Sequence, residues 1–212
     1  MATKGSGSAM TVETQQRIDG SSLPRYVSGP RAVGWWGIFF LVIIEVMVFG
    51  SLISSYFYLA GNSPEWPQDG LEPSALLLPT LNTLLLLASV IPMWWAVKSI
   101  SKGNQFGLKA GLIISFVMGS IFLVLKVIEY SDKSYTWETN AYGSIVWTIV
   151  GFHTVHVIAT LLKMAAIWVL ANQGYFRADR HVAVDGNALY WYFVVGIWVP
   201  LYFVLYWAPR WL

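Results

Sequence analysis

Apolar residues run almost without interruption through five stretches of the chain, 35–59, 75–97, 107–128, 142–171 and 187–208. A helix needs about 20 residues to cross a hydrocarbon layer about 30 Å thick, and all five stretches are long enough. A helix also pairs its own backbone groups, as lipid requires. Turn formers gather between the stretches: "GNSPEWPQDGLEP", "SKGNQ", "SYTWETNA" and "NQGYFRADRHVAVDG". The pattern predicts an all-α integral membrane bundle of five transmembrane helices within a 35–212 domain. Residues 1–34 form a separate N-terminal tail, with Gly and Ser runs, scattered charges and no apolar core, so they do not read as a secretory signal. Pro79, Pro92 and Pro200 predict kinks inside spans, and Gly143 with Ser144 would let another helix approach closely.

Composition agrees with burial in lipid. The chain is 56% apolar and 11% charged, where a soluble domain carries about a quarter charged residues. Net charge is only +2 and the 13 Lys and Arg are dispersed, which argues against nucleic acid as a partner. Cysteine is absent, excluding disulfides, iron-sulfur clusters and thiolate copper sites. Basic residues favour the cytoplasmic ends of spans. Lys4, Arg17, Arg25, Arg31, Lys98, Lys102, Lys109, Arg177 and Arg180 fall on one side, against Lys126, Lys133 and Arg210 on the other, whose first connection carries Glu65, Asp69 and Glu72. The N-terminus is therefore expected in the cytoplasm and the C-terminus outside. Under this topology Lys163 lies in the inner third of the fourth span, where its stem can snorkel. Tryptophans and tyrosines near span ends, Tyr56, Tyr130 and Tyr206 among them, read as interfacial belts or packing.

Four polar residues remain inside the spans: Glu45, Asn82, His153 and His156. An ionisable group in hydrocarbon costs several kcal/mol unless it is neutral, paired or hydrated. Counting the helix rise, Glu45 and His153 both fall about 15 Å from their span ends, near the midplane. A carboxyl to imidazole bond between the first and fourth spans is thus geometrically feasible. The histidine pair admits a metal site, a heme or a polar contact between helices. Metal is disfavoured, because the pair is spaced three apart rather than four and no second ligand cluster appears. Heme is disfavoured because only His181 remains as a second ligand. Helix contacts, lipid or a partner subunit account for the pair best. Glu45 reads equally as a structural protonated carboxyl or as a proton or lipid contact. Lys126 and Glu129, three apart, are placed to form an ion pair.

At these positions the chain resembles the heme-copper oxidase subunit III family. "WWGIFFLVIIEVMVFGSLISSYFYL" resembles its first retained span, with Glu45 at the family's intramembrane glutamate. "LNTLLLLAS" resembles L-N-T-x-x-L-L-x-S, and "LKVIEY" parallels Q-x-x-E-Y with Lys126 in place of glutamine. "YGS" and "GFHTVHVI" resemble Y-G-S and G-F-H-G-x-H-V, which puts His153 and His156 on the family pair. The match runs in order from about residue 35 to 207 and lacks the first two spans of seven-span members, like the five-span bacterial type. In the last span "LYWYFVVGIW" has Tyr192 and Val195 where the family usually has histidine and aspartate, and "TNAYGS" has Asn140 where an acid often stands.

The resemblance implies a noncatalytic subunit of an oxidoreductase complex, a cytochrome c or quinol oxidase, in a bacterial inner membrane. It implies no redox centre in this chain, with heme and copper in the catalytic subunit I and in subunit II, a bound phospholipid, and support of proton uptake. Glu45, His153, His156 and Glu129, with Asn82 among the intramembrane polar groups, are the residues expected to serve packing, lipid or proton contacts. His181 and Asp179 are expected as exposed cytoplasmic groups near the uptake side. The rival expectations are a homologue associated with a nitric oxide reductase and, more distantly, a stand-alone proton channel or transporter or a small heme-binding membrane protein.

Overall fold

The computed structural model describes residues 30, 32–71 and 75–212. The tail through residue 29, together with Arg31 and Glu72, lies outside the described residues. Among the described residues, five helical segments are long and apolar enough to cross a membrane: Val33–Gly61, Leu77–Ser101, Gln105–Ser131, Ala141–Asn172 and Val182–Arg210. The chain is a multi-pass helical bundle, as the hydropathy pattern predicts.

The first span is helix α1 (Val33–Gly61). The second is divided into α2 (Leu77–Ala88) and α3 (Val90–Ser101). Pro92 lacks the N–H that would bond Ala88, and the helix is interrupted just ahead of it at Ser89. Neighbours satisfy the exposed groups there. Ser115 Oγ donates to Ser89 O at 3.1 Å and Trp191 Nε1 donates to Ser89 Oγ at 3.1 Å. Pro79 falls in the first turn of α2, where no helical N–H is needed, so it makes no kink.

The third and fourth spans are α4 (Gln105–Ser131) and α5 (Ala141–Asn172). Each starts on an asparagine whose side chain accepts from the third residue on: Asn104 from Gly107 N at 3.1 Å and Asn140 from Gly143 N at 2.8 Å. The last span, α6 (Val182–Tyr202), contains Pro200 and continues through a π turn at Phe203–Trp207. It begins five residues before the predicted span, because Asp185 sits in its first turn, where a carboxylate suits the positive end of the helix dipole.

The centre of the bundle is α6, the most enclosed span, while α1 is the least. Aromatic donors of α6 dock on hydroxyls of the broken second span. Trp198 Nε1 donates to Thr83 Oγ1 at 2.9 Å. Thr80 Oγ1 gives its own hydrogen to Leu76 O, so the Tyr202 hydroxyl is the donor in their 2.6 Å contact. Trp191, Trp198 and Tyr56 have no exposed surface and Tyr206 has 1%, so these residues serve the interior rather than an interfacial belt.

Small residues let the helices of the α3–α4 hairpin meet. A Cβ at Gly107 would lie 2.2 Å from Ser99 Oγ, one at Gly111 2.5 Å from Pro92 O, and one at Gly119 2.8 Å from Trp191. With Ser115 they make a row on α4 at spacing four. Gly143 has a different use from the one expected, since its missing Cβ makes room for the carbonyl of Thr136 in the preceding connection, 2.3 Å away, and not for another helix.

Candidate functional site: polar groups inside the bundle

Glu45 is the thirteenth of the 29 residues of α1 and His156 the sixteenth of the 32 of α5. Both stand near the middle of their helices, and they meet: Glu45 Oε2 lies 3.0 Å from His156 Nε2. Their side chains are 18% and 12% exposed. His156 Nδ1 lies 2.6 Å from the Phe152 carbonyl. A carbonyl can only accept, so Nδ1 carries a hydrogen and Nε2 faces the carboxyl. A hydrogen bond across the 3.0 Å contact takes one further proton. On the carboxyl it makes a neutral acid donating to the imidazole; on the imidazole it makes an ion pair. Both arrangements are net neutral, whereas a pair stripped of that proton would set a carboxylate against a lone pair in a low-dielectric site.

The other histidine turns to α6. His153 Nε2 donates to Val194 O at 3.0 Å, and its ring packs 4.6 Å from Trp198, 6.0 Å from Phe122 and 6.4 Å from Phe49. It is 1% exposed. The carboxyl to imidazole bond between the first and fourth spans therefore forms on His156, one turn away from the histidine whose depth suggested it.

A second cluster lies toward the C-terminal end of α4. Lys126 Nζ donates to Glu129 Oε2 at 2.8 Å and to the Tyr206 hydroxyl at 2.9 Å. Its ammonium also sits 4.5 Å from the centre of the Trp198 ring. Tyr206 donates to Glu129 Oε1, and Lys133 Nζ approaches the same oxygen at 3.9 Å. Burial pushes the Lys133 pKa below the usual lysine value, and the charge of Glu129 opposes that shift. One carboxylate thus serves two lysines, in a setting where the side chains of Lys126 and Glu129 are 3% and 7% exposed. Of these partners, Tyr206 and Trp198 have no sequence-level signal, since they lie far along the chain on another helix.

Asn82 Nδ2 donates to Phe122 O at 3.2 Å, joining α2 to α4, while its Oδ1 has no partner. Replacing Asn82 by leucine removes one bond and one unsatisfied oxygen together, so denaturant unfolding of the Asn82→Leu variant should shift by no more than about 1 kcal/mol. At the α5–α6 connection Asp179 is exposed as expected, but His181 is buried. Its Nδ1 lies 3.2 Å from Arg177 O and its Nε2 3.6 Å from Asp185 Oδ2.

Among the described residues, no group of three or more His, Asp or Glu side chains is arranged to share a metal ion. The family model for cytochrome c oxidase subunit III matches residues 30–210. This chain belongs to that family. It is 34% identical over 175 residues to cytochrome c oxidase subunit 3 of Thermostichus vulcanus, covering 82% of this chain and 87% of that protein. With the subunit of Equus caballus it shares 32% identity over 178 residues, 81% of this chain and 68% of the relative. With that of Ovis aries it shares 30% over 199 residues, 91% and 75% respectively. Subunit III is a noncatalytic subunit of the heme-copper oxidases and works within a complex of oxidase subunits. In this member of the family, each buried charge described above is answered by a neighbour within the chain.

Proposed function

We propose that this subunit III stands beside the catalytic subunit I and subunit II of a proton-translocating terminal oxidase in a bacterial inner membrane. The N-terminus faces the cytoplasm and the C-terminus faces outside. Heme and copper reside in the partner subunits, where dioxygen is reduced, and this chain supports assembly, holds phospholipid and assists proton uptake by subunit I. The observation that carries the reading is the Glu45–His156 pair, a carboxyl and an imidazole from two helices in contact near mid-membrane. The pair joins the least enclosed helix, α1, to α5.

A free-standing proton channel fits the geometry poorly. The Phe49 ring packs against both histidines, 5.2 Å from His156 and 6.4 Å from His153, and the Trp198 ring lies between His153 and Lys126. Carbon faces cannot relay protons, so the polar clusters are separate stations rather than a path.

The test is Glu45→Gln within the assembled complex. Glutamine can donate to His156 Nε2 and keep the helices together, but it carries no exchangeable acid proton. The variant should assemble at wild-type yield and lose oxidase activity in fewer turnovers; unchanged durability would count against the proton role. The chains that co-purify decide the association, a copper-containing oxidase supporting the reading and a nonheme-iron nitric oxide reductase overturning it.

A further inference from the structure

The Lys126–Glu129 cluster lies on a run of neighbouring aromatic rings that leads from the interior to the surface. Tyr202 and Tyr206, on the last span, stand 5.3 Å apart, centre to centre. Tyr206 and Tyr130 flank the same two ammonium groups: Lys126 Nζ is 5.2 and 5.8 Å from their ring centres, and Lys133 Nζ 5.8 and 5.4 Å. Tyr130 meets Trp147 of α5 at 5.1 Å, and Trp147 meets Trp137 at 5.5 Å. The three tyrosines are buried, Trp147 is partly buried, and Trp137, in the α4–α5 connection, is 58% exposed. Two bonds fix the outer part of the run: Trp147 Nε1 donates to Tyr135 O at 3.1 Å and Ser144 Oγ donates to Trp137 O.

Apolar packing alone would be served as well by phenylalanine. Every ring in this run is instead a phenol or an indole, the side chains that give up one electron most readily in a chain without cysteine. Both working ends are also equipped for the proton that leaves with the electron. The Tyr206 hydroxyl donates to Glu129, and the Trp137 indole N–H donates to Glu138 Oε1 at 3.2 Å. A side branch through Tyr56, Trp66, Tyr142 and Tyr135 has similar spacings of 5.3, 5.1 and 5.4 Å, but all four of its rings are buried. Charge gives the run a direction. The two ammonium groups facing Tyr206 attract an incoming electron, and the Glu138 carboxylate stabilises the positive hole left on Trp137.

We propose that this run is an electron relay, through which a soluble one-electron reductant at the exposed Trp137 repairs an oxidised Tyr206 in the interior. The oxidant is of the peroxyl-radical class, a by-product of dioxygen chemistry in a membrane. It takes one electron from the Tyr206 ring and becomes its anion, while the phenolic proton passes to the Glu129 carboxylate and leaves a neutral phenoxyl. One electron then moves from Trp137 through Trp147 and Tyr130 to Tyr206. The proton returns from Glu129 to the Tyr206 oxygen, and the indole proton of Trp137 passes to Glu138. An ene-diol reductant such as ascorbate finally gives one electron to Trp137, which recovers its proton from Glu138. Both residues end unchanged, the oxidant has gained one electron, and the reductant has lost one.

The test uses the full chain with its co-purified subunits in mild detergent. An alkylated ruthenium(II) tris-bipyridine dye in the micelle, with a cobalt(III) ammine as electron sink, supplies the oxidant under light, and oxidation of Tyr206 is counted by mass spectrometry with and without aqueous ascorbate. In wild type, ascorbate should lower Tyr206 oxidation severalfold. That protection should be lost in Trp147→Phe and Trp137→Phe, which keep a ring in place but interrupt the relay. It should persist in Trp66→Phe, a change of the same kind in the buried branch. Glu138→Gln, an exposed change that leaves every ring in place, should weaken the protection and keeps the proposal testable if an indole variant fails to assemble. Freezing under light should trap a tryptophan radical in wild type and a tyrosyl radical in Trp147→Phe, distinguished by high-field electron paramagnetic resonance. Equal protection in wild type, Trp147→Phe, Trp137→Phe and Glu138→Gln would show that ascorbate quenches the dye directly and would overturn the relay. Tyr206 that stays unoxidised in Trp147→Phe without ascorbate would overturn it too.

Discussion

The variant Glu129→Leu should destabilise the bundle by about 3–5 kcal/mol, the usual consequence of removing one partner from a buried ion pair. Glu129 is the carboxylate for Lys126 at 2.8 Å and for Lys133 at 3.9 Å, and it accepts from Tyr206. Without it, two ammonium groups and a phenol converge on an aliphatic side chain. The Lys126 ammonium keeps the Tyr206 hydroxyl and the surrounding rings, Trp198 nearest, a cation–π contact of about 0.5–2 kcal/mol and insufficient for a buried charge. The measurement is unfolding in mixed detergent micelles followed by tryptophan fluorescence. The double variant Lys126→Met with Glu129→Leu should recover much of the loss, because the more buried of the two lysines is then removed with its acid and only Lys133 has lost Glu129. A single variant as stable as wild type would show that the cluster is hydrated and not a buried pair.

A comparable effect is expected from Gly111→Val. The nearest atom to an added Cβ is the backbone oxygen of Pro92 at 2.5 Å, followed by Ala96 Cβ at 2.8 Å. Backbone on both sides cannot rotate away, so the α3–α4 hairpin must open. Overpacking of this kind costs about 1–3 kcal/mol, with more where the obstruction is main chain. Ala96→Gly should rescue little, since the carbonyl remains. Gly151→Ala is the control: nothing lies within 4 Å of the added methyl, so a helical alanine should be neutral or stabilising by up to about 1 kcal/mol. Protease resistance of membrane-inserted protein would report both.

Much of the fold is written in local pattern. Each span is a long, nearly unbroken apolar run, and a helix in lipid satisfies itself, so span number follows from length and apolar character. Glu45 and the two histidines also stand out, because a titratable group in such a run needs a reason. The pairing does not follow from pattern. Which imidazole meets Glu45 depends on how α1 and α5 are rotated about their axes, and three residues of sequence shift a side chain most of a turn. Tyr206 reaches Lys126 across 80 residues of chain, a contact with no local trace. The row of Gly107, Gly111, Ser115 and Gly119 is visible as a spacing, yet only the closeness of α3 and Trp191 gives it meaning. The beginning of α6 was obscured for another reason: Asp185 and Gly186 look like a connection, whereas an acid in a first helical turn is stabilised there.

The Glu45–His156 contact joins residues 111 positions apart. At translation speeds of about 5–20 residues per second, the acid leaves the ribosome about 5–20 seconds before its imidazole exists. Through that interval the newborn α1 carries its carboxyl without the imidazole that will face it. The span-to-span contact waits for the fourth helix and the packing against α6 for the fifth, so the leading helix is seated late in synthesis rather than when it is made.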